Sequence, residues 1–399
     1  MSAESLRSRG DRELAEKLLD ERLVKRVIEK LAQDEEKSPA GIRRRLLATS
    51  LRLTESMMPD VHREVRECRE RLALSTPLEV YVYPDAAFNA AAVRPEHGRL
   101  FMLLSSGLLE AFSVPERRFV IGHELGHHLF GHHDIPIGQV LGGSERPGPG
   151  LALRLFAWSR YAEISADRAG AHCVDDPDDV ARALFRLASG LRRPLDSVRI
   201  EDFVAQVDEL RAEQTEPGKG APPTDWFSTH PFSPLRLRAL KLFFESELAV
   251  SSGFPIATLE ARVQELMAIM EPSYLEEKSE VAEMARRLLF AAAITVADAS
   301  GGISDEEKKV FEKLFGEWVL DGRLDLEAVK ASLDERIAEA NNRVPHARRI
   351  QVLRDLCVVA RADGKVSANE REVIERLARD LEVPPEIVGE TLCAECELD

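Results

Sequence analysis

No apolar run in this sequence approaches the roughly 18–20 residues that a membrane-spanning helix needs. The nearest, Leu288 to Ala297, is too short and ends against Asp298. The N-terminus is charged from Glu4 onward, so it lacks the apolar core of a secretory signal. Cysteine is scarce: Cys68, Cys173, Cys357, Cys393 and Cys396 are five in 399 residues, too few for a disulfide framework. A basic surplus is missing as well. The chain has 54 Lys+Arg against 70 Asp+Glu, a net charge of −16, which excludes nucleic-acid binding as its main role. A cytoplasmic setting is expected, free or at the periphery of a membrane. The hydrophobic fraction of 44% is enough to bury real cores. The length fits two to three domains.

Charge is unevenly distributed. Residues 1–75 hold 17 Lys+Arg and 15 Asp+Glu, whereas residues 271–399 hold 18 and 29, a net of −11. Leu14, Leu18, Val24, Ile28 and Leu31 recur at helical steps, and Ser38-Pro39-Ala40-Gly41 breaks that pattern. A second amphipathic stretch runs from about Ile42 to Leu74. Leu78 to Pro84 alternates β-branched and aromatic residues and reads as a strand, as does Leu100 to Leu104. Helical pattern resumes at Ser113. Residues 136–150 and 215–224 are rich in Gly and Pro and read as loops. Beyond Leu248 the strand signals stop.

The strongest chemical signal is His123-Glu124-Leu125-Gly126-His127. Ser113 and Glu116 have capping-box spacing, so a helix starting there carries the motif. His123 and His127 are one turn apart and can reach a single zinc ion from one face. Glu124 is placed to hold and deprotonate a zinc-bound water rather than to bind the metal. The third ligand has two candidates. His133 stands ten residues after His123, where a metzincin has its third histidine. The glycine of that pattern falls on Phe130 here, with Gly131 one residue late. Glu163 lies in a second helical stretch with Asp167 four residues on. That spacing lets Glu163 reach the metal while Asp167 accepts a hydrogen bond from a ligand histidine. Ala166, Ala169 and Gly170 keep this helix slim enough to approach the first. His128, His132 and His133 read as surface residues or as neighbours of the ligands.

Three segments in order carry a family resemblance: His123 to His127, Glu163-x-x-Ala166-Asp167-Arg168-x-Gly170-Ala171, and Thr229-His230-Pro231 with Arg236. Together they resemble the zinc endopeptidases of the HtpX and CAAX-prenyl protease type, over roughly residues 41–250. Asn89-Ala90-Ala91-Ala92 and Leu103 to Leu109 resemble that family's segments beside the cleft. The resemblance implies one catalytic zinc on His123, His127 and Glu163, with Glu124 as general base. It further implies His230 as an oxyanion donor, Arg236 holding the polar network, and Asn89 and Ala90 at the polypeptide substrate. Relatives that act on prenylated or membrane substrates carry transmembrane helices; this sequence has none, so a soluble peptidase is expected.

The C-terminal region repeats at an offset of 63 residues. Ala297 to Glu307 aligns without gaps to Ala360 to Glu370, each copy with a helix-ending Gly and a capping box, Ser304/Glu307 and Ser367/Glu370. The Ala362-to-Ser367 run resembles tellurite-resistance TerB-like helical domains over about 275–395. The spaced carboxylates of an EF-hand are missing, and Cys393-x-x-Cys396 has no second pair for a zinc ribbon. The expected fold is α+β: a helical segment (1–40), a mostly helical gluzincin-like domain with a small sheet (41–250), a linker (251–270) and an all-helical domain (271–399). The expected function is zinc-dependent peptide hydrolysis, with the acidic C-terminal domain as a sensor or docking module for a protein partner. The rival is a non-enzymatic interaction protein on a protease fold, for which an intact Glu124 has no use.

Overall fold

The computed structural model describes residues 3–37, 41–143, 145, 147–193, 195, 199–213, 225, 228–271, 280–299, 301–302, 308–309, 326–361 and 366–393. The loop expected at 215–224, the capping box Ser304/Glu307 and Cys396 lie outside the described residues. The fold is α+β, and the chain divides into two compact units: Met1–Asp208 with Phe227–Gly253, and Glu209–Trp226 with Phe254–Asp399.

In the first unit α1 (Ala3–Leu6), α2 (Arg9–Asp20), α3 (Arg22–Lys37) and α4 (Ile42–Thr49) lead into β1 (Leu51–Leu53) and α5 (Pro59–Arg71). The single stretch expected from Ile42 to Leu74 is thus two helices with a strand between them. Pro59 explains the second start, since it fits a first turn but cannot continue a helix. Leu51 to Leu53 pairs antiparallel with β2 (Leu78–Tyr83). β3 (Ala90–Glu96) and β4 (Arg99–Ser105) complete a sheet of order β1-β2-β4-β3, with β2 and β4 parallel and β3 antiparallel at the edge. Tyr81 and Phe101 cluster with Leu46 of α4 on one face. Val80, Ala92, Met102 and Leu104, of the opposite parity, are buried on the other. Glu96 caps α4 by accepting from Ile42 N–H (2.7 Å), because the N-cap Gly41 has no side chain to do so.

After α6 (Ser106–Ala111) come α7 (Val114–Leu129), a 3-10 turn (His132–Asp134), α8 (Ile137–Gly142) and α9 (Pro149–His172). Part of the loop expected at 136–150 is therefore helical, held by buried Val140. α10 (Pro177–Ser189), α11 (Ile200–Glu213) and α12 (Ser233–Glu245) follow. The N-terminal helices pack into this unit. Gly10 of α2 sits so close to the Tyr161 ring that a Cβ would meet it at 2.5 Å, and Ser8 N–H donates to Ser165 Oγ (3.0 Å) on α9.

The second unit is helical: α13 (Ile256–Ala268), α14 (Glu280–Ala299), α15 (Leu326–Ala331), α16 (Leu333–Arg343), α17 (His346–Ala360), α18 (Ala368–Asp380) and α19 (Glu386–Cys393). α14 runs through its centre, where Leu288, Leu289, Ala292 and Ile294 meet Val352, Leu356, Ile374 and Leu377. Ser367 and Glu370 form the expected capping box on α18. Gly301, the helix-ending glycine of the first repeat, takes a positive φ of 103° beyond α14, and Gly302 after it takes 124°. The stretch expected as a linker contains α13, whose Gln264 hydrogen-bonds His346 Nδ1 of α17.

Candidate metal centre

α7 begins as its sequence dictates. Ser113 and Glu116 form the capping box, and Ser113 N–H donates to Glu116 Oε2 (2.7 Å). Phe119, Ile121 and Leu125 bury its inner face. Its partner is α9, and small residues set the spacing between them. A Cβ on Gly126 would meet Ala169 Cβ at 2.7 Å, and one on Gly170 would meet the Phe119 carbonyl oxygen at 2.6 Å. This close approach brings Glu163 of α9 to the histidines of α7.

His123 Nε2 and His127 Nε2 are 3.1 Å apart. Glu163 Oε2 lies 3.5 Å from the first and Glu163 Oε1 3.4 Å from the second. One ligand atom from each of the three residues lies within 4.8 Å of the other two, the only such group of three among the described residues. Glu163 Oε2 is buried and takes no hydrogen bond, with Arg236 Nη2 and His123 Nε2 each 3.5 Å away, which leaves room for a closer ligand bond to a metal ion. Two nitrogens and a carboxylate are ordinary zinc donors, and a tetrahedral ion with Zn–N of about 2.0–2.1 Å separates two nitrogens by roughly 3.3 Å. The residues fit the metal.

Around these three atoms the charges are paired. His123 Nδ1 is 2.9 Å from Asp167 Oδ1, and Arg236 donates to both Asp167 oxygens (2.8 and 2.6 Å). Burial works to raise the pKa of Glu163 and of Asp167. The histidines and the Arg236 guanidinium outweigh it, holding Glu163 well below the carboxylate range and Asp167 below it too. Burial likewise opposes the charge on Arg236, yet Asp167 and Glu163 raise its pKa. Glu124 Oε2 accepts from the Ala92 N–H of β3 (2.8 Å), so the carboxylate beside the histidines is fastened to the edge strand. His230 Nε2 is 3.6 Å from Glu163 Oε1, its side chain 64% exposed, with Nδ1 2.9 Å from Thr229 Oγ1. That segment is held by Ser159 Oγ and Arg160 Nη1, which donate to the carbonyls of Thr229 and Ser228. Ala90 opens β3 and Asn89 precedes it, its N–H donating to Ser105 Oγ (3.0 Å).

The structure brings His123, His127 and Glu163 together, with Asp167, His230 and Arg236 against them, and Glu124 joins α7 to the strand that begins at Ala90. His133 does not join this group. Gly131 turns the chain with φ 69°, which brings His132 back towards His127 and leaves His133 Nε2 buried without a hydrogen bond. Burial and the neighbouring positive groups push His133 down to about 4, so it is neutral at ordinary pH. Two contributions were not legible in the sequence. One is the Ala92 amide, since backbone donors carry no sequence mark. The other is Asp11, which hydrogen-bonds His132 from 121 residues away.

Comparison with known proteins gives the chain a family. The profile of peptidase family M48 matches residues 55–144 and 149–243. A protease HtpX homolog of Paraburkholderia phytofirmans is 30% identical over 224 residues, covering 47% of this chain and 74% of that protein. The chain belongs to peptidase family M48. Its likeness extends to the plastoglobule-localized metallopeptidase 48 of Arabidopsis thaliana, 25% identical over 186 residues and covering 43% of this chain. This M48 chain spans about half, 52%, of that chloroplast relative's length. The profile of tellurite resistance protein TerB matches residues 286–390, within the second unit. No solved structure matches the chain at a significant level. No helix among the described residues is long and apolar enough to cross a membrane.

Proposed function

We propose that this M48 chain is a zinc metalloendopeptidase, with His123, His127 and Glu163 as the metal ligands. The convergence of those three side chains, with one Glu163 oxygen buried and without a hydrogen bond, carries the reading. Zinc held there supplies Lewis acidity, polarising a scissile carbonyl and acidifying water. Glu124 takes the proton of the attacking water and passes it to the leaving amine. Its hydrogen bond to Ala92 ties that base to β3, whose outer edge receives an extended polypeptide beside Asn89 and Ala90. His230, exposed and 3.6 Å from Glu163, donates to the oxygen that gains charge in the transition state. Arg236 keeps Asp167 ionised, and Asp167 orients His123. The second unit, acidic over 271–399, serves as a sensor or docking module for a basic partner. Buried unpaired Cys68, Cys173 and Cys357 accord with a reducing, cytoplasmic setting.

Metal analysis and peptide hydrolysis test this together. Wild-type protein should carry about one zinc per chain. Glu163→Ala should lose the metal and His133→Ala keep it. Glu124→Gln should keep zinc and hydrolyse peptides about 10²–10⁴-fold more slowly. Full activity in Glu124→Gln, or zinc retained by Glu163→Ala and lost by His133→Ala, would overturn the assignment.

A further inference from the structure

The two ligand histidines are supported differently. His123 Nδ1 meets a carboxylate directly, Asp167 Oδ1 at 2.9 Å. His127 Nδ1 meets another imidazole, His132 Nδ1 at 2.8 Å, and His132 Nε2 meets Asp11 Oδ2 at 2.9 Å. Asp11 belongs to α2, outside the residues that match the family profile. It is wholly buried and its carboxylate accepts from several donors. Ser165 Oγ lies 2.8 Å and Arg7 Nε 3.0 Å from Oδ2, and Trp158 Nε1 lies 3.0 Å from Oδ1.

The polarity of this chain follows from what each atom can do. An ionised carboxylate only accepts, so His132 Nε2 carries the proton and donates to Asp11. A neutral His132 then presents a bare Nδ1, and His127 Nδ1 must be the donor to it. His127 Nε2 is left with a free lone pair, directed at His123 Nε2 and Glu163. Reversing any link would place a proton on His127 Nε2 and block a metal ion. We propose that Asp11, acting through His132, is a positioning residue of the metal centre, fixing the tautomer and ring orientation of His127. This rests on the three-ligand reading above and extends it. Helix α2 thus completes the site, and each ligand imidazole ends on a buried carboxylate, one directly and one through a second ring. Hydrogen-bond partners of this kind raise ligand basicity, and losing one costs roughly 10–100-fold in metal affinity.

The test is zinc competition against a chelator on the full chain, with the absorption spectrum of the cobalt(II)-substituted protein and the melting temperature of the metal-free protein. Asp11→Ala and His132→Phe should each weaken zinc roughly 10–100-fold and alter the cobalt bands. The double variant should be little worse than either single one, since both cut one chain; independent destabilisation would add. Asp11→Asn is isosteric and retains the fold if Asp11→Ala does not. It should show a smaller loss in the same direction, because a neutral amide holds the His132 tautomer less firmly. Arg154→Ala breaks the surface pair between α9 and Glu21, the residue that follows α2, and should leave affinity unchanged. Wild-type zinc affinity and cobalt bands in folded Asp11→Ala or Asp11→Asn protein, or additive losses in the double variant, overturn the positioning role while the metal site stands. Wild-type protein that binds no zinc overturns both.

Discussion

Arg236 lies between the two carboxylates of α9, donating to both oxygens of Asp167 and 3.5 Å from Glu163 Oε2. Asp167 is wholly buried and Glu163 nearly so. Removing the guanidinium would leave two adjacent anions with only the ligand histidines against them. Arg236→Met, similar in length but neutral, should therefore destabilise the metal-free protein by about 3–5 kcal/mol, measured as a lower midpoint in urea. An unchanged midpoint would mean that the two carboxylates do not depend on it. This residue also shows why part of the site could be read in advance. His123/His127 and Glu163/Asp167 are each one helical turn apart, so local spacing alone aligns their side chains. Arg236 and His230 lie on a separate segment and came only from the resemblance. Asp11 had neither signal, being a single carboxylate on an amphipathic helix that falls outside the matched region.

At the scale of elements, α7 and α9 were legible because caps, helical period and breaking prolines are local. Their approach was legible in part, since Ala166, Ala169 and Gly170 mark one slim face. The matching glycines of α7 complete it: Gly126 faces Ala166 and Ala169, and Gly122 faces Gly170 and Cys173. β1 was missed because three residues are too short to show a period, and its strand conformation comes from pairing with β2. α8 was missed because the surrounding Gly and Pro outweighed a single buried valine. The glycine spacing gives a direct prediction. Gly126→Leu places a branched side chain where even a Cβ is 2.7 Å from Ala169, so the helices must move apart. Overpacking of this kind costs about 1–3 kcal/mol. It also withdraws Glu163 from the histidines, so zinc affinity should fall well beyond what the stability loss explains. Calorimetric zinc titration at a temperature where the variant is fully folded checks this, and wild-type affinity there would mean that the helix spacing does not set the site.

For the whole molecule, the candidate metal centre lies within one unit and the TerB-like helices within the other. The acidic charge of residues 271–399 and their internal repeat mark the second unit in the sequence, but its start is less evident. Residues 251–270 read as a linker because the strand signals have ended there. The structure has α13 packed on α17, with Gln264 bonded to His346, whose Nε2 is 3.0 Å from the Glu382 carbonyl oxygen. His346 is buried, and a buried imidazole that loses a hydrogen-bond partner costs about 1–3 kcal/mol. A fragment beginning at Phe254 should fold as a helical unit and melt cooperatively by circular dichroism. One beginning at Glu271 lacks α13 and with it the Gln264 bond to His346, and should melt several degrees lower or without a sharp transition. Equal melting of the two fragments would return α13 to the role of a linker. Binding of a basic partner to the longer fragment should weaken steeply between low and physiological salt, because exposed acidic side chains act through screened charge.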